Sequence, residues 1–257
     1  MTIRFGPAGL GGVKEAVSNL EEYARLGLKA CEISFTYGAY IKKEEDALMI
    51  REAAERLGIK LSIHAHYWIN LNSEDSEKIE KSKERILECC KVGTWLGAYR
   101  IVFHPGFYGK MEKEETYENI KKAIIEIQEK MKEEIYTPKL APETTGKVNV
   151  FGSYEEISRL CEETGCEFCI DFAHILAREK DYNFDKVLTK FNRSEKMHIH
   201  FSGIEYGEKG EKHHKKTTEG ELKELISNLP KDKDITIINE SPECLNDSVL
   251  GLKVYSR

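Results

Sequence analysis

The chain's most constraining feature is the regular return of short apolar runs rich in β-branched residues. Eight of them occur, near Ile3-Phe5, Cys31-Phe35, Leu61-His64, Ile101-His104, Leu140-Glu143, Phe168-Asp171, Met197-Phe201 and Ile235-Asn239. A longer, charge-laced segment follows each run. Residues 76–97 place Ile79, Ile86, Leu87, Cys90, Val92 and Leu96 largely on one helical face. Residues 114–135 do the same with Ile120, Ile124, Ile127, Met131 and Ile135. Strands alternating with helices imply repeated βαβ units and a parallel sheet. Over 257 residues each unit has about 32 residues, enough for a strand, a helix and two loops. Eight near-equal units predict an α/β fold, a single (β/α)8 TIM barrel spanning 1–257, and no domain boundary is visible. The opening Gly6-Pro7-Ala8-Gly9-Leu10-Gly11-Gly12 does not fit the glycine pattern of a dinucleotide-binding turn.

The decisive pattern lies at the ends of the runs. They terminate in His64, His104, Glu143, Asp171, His200 and Glu240, separated by 40, 39, 28, 29 and 40 residues. Each interval is about one repeat, so six strands deliver a metal-ligand side chain to one rim. In a TIM barrel that rim is the C-terminal face, where active sites lie. Taken singly, each residue is more simply a hydrogen-bonded core or surface group. Gathered together without cations, several buried carboxylates would cost several kcal/mol apiece. Mixed imidazole and carboxylate suit zinc or manganese better than magnesium. Further candidates follow strands: His174, three residues after Asp171, and the loop pair Glu211 and His213. His66 and His198 share strands and faces with His64 and His200, and spacing alone does not choose within either pair.

Seven cysteines, an odd number scattered among apolar runs, argue against a disulfide framework. Cys166 and Cys169 form a C-x-x-C without a second pair, so they read as structural thiols, and no cysteine is expected to compete for the metal. No stretch is long and apolar enough to span a bilayer, and the N-terminus lacks a targeting signal, so a cytoplasmic location is expected. A net charge of −6 counts against a general nucleic-acid coat but does not exclude a locally basic surface.

At these residues the chain resembles the endonuclease IV family of apurinic/apyrimidinic (AP) endonucleases. The resemblance is carried by His64-Ala65-His66-Tyr67-Trp68-Ile69-Asn70-Leu71, Phe103-His104-Pro105-Gly106 and Pro142-Glu143-Thr144-Thr145-Gly146. It continues through Cys169-Ile170-Asp171-Phe172-Ala173-His174, His198-Ile199-His200-Phe201-Ser202 and Asn239-Glu240-Ser241-Pro242. It implies a barrel with up to three zinc ions. His64, His104 and Glu143 would hold one, and Glu143, Asp171, His200 and Glu240 a second. His174, Glu211 and His213 would hold the third, with Glu211 standing where better-known members have Asp. The implied reaction is hydrolysis of the phosphodiester 5′ to an abasic site in duplex DNA, with Glu143 also placed to deprotonate water. Tyr67 and Trp68 would insert beside the lesion, although ordinary loop packing accounts for them equally. Lys42, Lys43, Lys110, Arg178, Lys180, Lys209, Lys212, Lys215 and Lys216 follow strands and would make the rim basic. The loop 36–43 departs from the family's arginine-containing recognition loop.

Two other readings stand beside this one. A single-metal sugar isomerase or epimerase of the same superfamily needs only Glu143, Asp171, His200 and Glu240, leaving the other five candidates surplus. A non-catalytic barrel predicts missing ligands, and the sequence shows one conservative change.

Overall fold

The computed structural model describes residues 2–257. Eight parallel strands form the barrel: β1 (Thr2–Pro7), β2 (Ala30–Ser34), β3 (Lys60–His64), β4 (Arg100–Phe103), β5 (Lys139–Pro142), β6 (Ile170–Asp171), β7 (Lys196–Phe201) and β10 (Asp234–Asn239). They pair in two runs, β1-β10-β7-β6 and β2-β3-β4-β5. Parallel bridges Ala8–Glu32 and Glu143–Cys169 join those runs and close the barrel. The strands are buried on both faces, which is why the sequence shows runs and not alternation.

Outside the strands lie α1 (Ala16–Arg25), α2 (Glu44–Leu57), α3 (Ser76–Leu96), α4 (Lys113–Glu133), α5 (Tyr154–Thr164), α6 (Phe172–Glu179), α7 (Phe184–Lys190), α8 (Glu219–Asn228) and α9 (Cys244–Tyr255). The two long helices read from periodicity agree with α3 and α4 within about two residues. Asp75 caps α3 by accepting from Glu77 N–H, and Ser153 and Thr218 open α5 and α8 with capping boxes. Ile86, Cys90 and Leu96 of α3 and Ile120, Ile124 and Ile127 of α4 are fully buried against the barrel. No helix of the described residues is long and apolar enough to cross a membrane.

One element departs from the simple repeat. The segment after β7, expected as a loop, is an antiparallel hairpin of β8 (Gly203–Gly207) and β9 (Gly210–Lys215) folded over the barrel mouth. It is pinned by close backbone approach. Glu211 N–H donates to Gly146 O at 3.0 Å. A Cβ on Gly210 would meet that oxygen at 2.1 Å, so only glycine, at φ +96, fits there.

Candidate metal centre

The strand ends bring their side chains together at the C-terminal mouth around Glu143, which is fully buried. Its Oε2 lies 3.1 Å from His64 Nε2 and 3.0 Å from His104 Nε2, and its Oε1 lies 3.1 Å from His200 Nδ1. Three overlapping donor sets result, each with ligand atoms within 4.8 Å of one another: His64, His104 and Glu143; Glu143, Asp171, His200 and Glu240; and Asp171, His174 and His214. A cavity of about 280 Å³ opens above them, lined among others by His64, Tyr67, His104, Glu211, His214 and Glu240.

The electrostatics suit cations. Burial raises the Glu143 pKa, but His200 and His104 outweigh burial and hold it well below the usual carboxylate range. Burial of Asp171 prevails over the neighbouring imidazoles and pushes its carboxyl up. Asp171 Oδ1 caps α6 by accepting from His174 N–H at 2.8 Å, whereas its buried Oδ2 has no hydrogen-bond partner. An orphaned carboxylate oxygen within a mixed His and carboxylate set is what a divalent ion would satisfy. The residues present therefore fit zinc or a similar ion.

Within the ambiguous pairs, His64 and His200 face the cluster. His66 turns aside, with Nε2 3.7 Å from Glu88, and His198 points down the barrel to Glu32 and Tyr99. His213 is a correction. The i, i+2 spacing pairs it with Glu211, but a bulge in β9 leaves Lys212 without a partner between Glu211, opposite Tyr206, and His213, opposite Glu205. The extra residue shifts the facing by one. His213 is exposed, while His214 joins Asp171 and His174, and Glu211 Oε2 lies 3.5 Å from His174 Nε2.

Two neighbours are not legible in the sequence as site residues. Glu32, wholly buried on β2, lies against His198 and His200, and its only signal is a carboxylate inside the apolar run Ala30–Phe35. Cys169, expected to stand apart from the metal, shares a donor set with His198 and His200, although burial raises its pKa and favours the neutral thiol. All seven cysteines are free.

At the mouth, Tyr67 and Trp68 are 61% and 57% exposed, and Tyr37, 78% exposed, packs against both rings. The basic rim is thinner than the sequence suggests. Arg178 turns inward to donate to Lys147 O and Val150 O, Lys180 donates to Ala177 O and Gly207 O, and Lys42 and Lys216 pair with Glu88 and Glu243.

A closed eight-stranded barrel with a multi-donor mouth defines a metal-binding TIM barrel as the class. More particularly, the chain belongs to the xylose isomerase-like TIM barrel family, whose profile matches residues 20–246. An uncharacterized protein of Methanocaldococcus jannaschii is 39% identical over 98% of this chain and 96% of its own length. An apurinic-apyrimidinic endonuclease of Caenorhabditis elegans is 30% identical over 70% of this chain, which spans about half of that relative's length (50%). Among solved structures, endonuclease IV from Thermus thermophilus aligns at TM-score 0.72 and 24% identity, over 98% of this chain and 97% of its own. A D-tagatose 3-epimerase-like protein aligns at 0.70 and 19%, over 98% and 97%. At these identities the structural likenesses establish the fold alone.

Proposed function

We propose that this protein is a zinc-dependent AP endonuclease that hydrolyses the phosphodiester 5′ to abasic sites in duplex DNA, with manganese as an alternative ion. The observation that carries the reading is the surplus of donors: three overlapping sets meet at Glu143 and Asp171, where a one-metal enzyme needs one set. His64, His104 and Glu143 would hold one ion. Glu143, Asp171, His200 and Glu240 would hold a second. His174, His214 and Glu211, beside Asp171, would hold a third. Divalent ions at such a site lower the pKa of water and neutralise charge on phosphate and leaving oxygen.

The chain's own groups supply the rest. Glu143, held ionised by His200 and His104, also helps to deprotonate the attacking water. Tyr67 and Trp68, exposed beside the cavity, stack in the gap where a base is missing. Tyr37 occupies the loop that departs from the family's recognition loop and extends that aromatic surface.

The test is incubation of the zinc-loaded protein with a duplex bearing one tetrahydrofuran abasic analogue. A single cut on its 5′ side, lost in Glu143→Gln, is expected; no cut by protein with a full metal complement refutes the proposal. The second reading, a sugar epimerase, is favoured by the self-sufficient set Glu143, Asp171, His200 and Glu240. It predicts one ion per chain when the metal content of the purified protein is measured.

A further inference from the structure

Beneath the mouth, a chain of polar side chains runs down the barrel interior. Tyr99 Oη contacts His198 Nδ1. His198 Nε2 lies 3.0 Å from Glu32 Oε2, which also accepts from Ser62 Oγ at 2.8 Å. The other oxygen, Glu32 Oε1, lies 2.9 Å from His200 Nε2, a close approach without hydrogen-bond alignment, and both buried atoms lack a hydrogen-bond partner. The far side of the His200 ring presents Nδ1 to Glu143 Oε1 at 3.1 Å and to Glu240 Oε1 at 3.3 Å.

We propose that Glu32 is a positioning residue: by holding His200 at Nε2 it fixes the tautomer and ring rotation that turn the Nδ1 lone pair toward Glu143, Asp171 and Glu240. The inference rests on the metal-centre reading of that donor set. A neutral imidazole carries one proton. Placed on Nδ1, it would leave the Nε2 lone pair against a carboxylate oxygen at 2.9 Å, two acceptors face to face. Placed on Nε2, it faces the Glu32 carboxylate as a favourable charge–dipole contact and frees Nδ1 for a cation. A carboxylate behind a metal-bound histidine orients the ring and strengthens it as a ligand. Glu32 is in turn held by Ser62 and His198, so it cannot rotate away. This assigns His198 a supporting role, although it shares a strand and face with His200.

Glu32→Gln tests the idea because an amide fills the same volume and still hydrogen-bonds, yet it no longer enforces one tautomer. Metal-free protein is titrated with Co2+, following the visible absorption band and competition with a chromophoric chelator. Glu240→Gln identifies the ion of the four-donor set, and His104→Gln the ion of the other. In folded Glu32→Gln, the four-donor ion is expected to bind about 10- to 100-fold more weakly with an altered band. The His64 and His104 ion is expected to be unchanged. Should that variant not fold, Ser62→Ala, which removes one hydrogen bond to Glu32, is expected to weaken the same ion selectively. Wild-type affinity and band for both ions in folded Glu32→Gln would overturn the proposal. Co2+ binding by folded Glu240→Gln identical to that of the wild type would overturn the metal-centre reading itself, and this inference with it.

Discussion

Stripping divalent ions with a chelator at pH 7.5 is expected to lower the thermal midpoint by about 5–11 °C relative to protein with free zinc at 100 times its dissociation constant. The magnitude follows from counting sites. One ion bound only by the folded state at that ratio contributes about 2.7 kcal/mol. For a chain of this length each kcal/mol moves the midpoint by about 2–4 °C. The donor sets share Glu143 and Asp171, so they are not independent, and two ions give at most about twice that shift. The structural reason for a real loss is that Glu143, Asp171 and Glu240 then face one another with only imidazoles between them. Scanning calorimetry at fixed protein concentration, with metal content assayed on the same samples, reads the shift. A midpoint unmoved by complete metal removal would refute the claim that these buried groups are organised around cations.

Two further outcomes test other parts of the structure. Lys60, packed over Tyr99 and 4.0 Å from Asp234, has its pKa pushed down to about 8, chiefly by burial. Between pH 8 and 10.5 the unfolded chain keeps the proton that the folded one has lost, so wild-type stability rises with pH there. Lys60→Met should therefore gain about 1–2 kcal/mol at pH 7, discounted for partial exposure. That advantage should shrink toward pH 10.5, and urea melts showing a gap independent of pH would contradict it. Gly210→Ala, at φ +96 with its new Cβ against Gly146 O, should destabilise by about 1–3 kcal/mol and lift the hairpin. The variant is then expected to lose the ion nearest His214 while keeping the others; an unchanged metal count would show that the hairpin does not build that site.

The sequence by itself determined the barrel and most of its mouth. Both follow from repetition, since eight runs buried on both faces must be covered by helices and each run ends at the same rim. His64, His104, Glu143, Asp171, His200 and Glu240 were legible because their position at a strand end does not depend on distant contacts. The tertiary structure alone decided what depends on contacts across the barrel. Glu32 looks like any charged residue until β2 closes against the interior and sets it opposite His198, 166 positions further along the chain, and His200. His214 displaces His213 because one unpaired residue in β9 turns the strand over, and strand periodicity cannot register a bulge. Arg178 and Lys180 leave the basic rim because loop carbonyls near them need donors, a demand that exists only once the loops are folded.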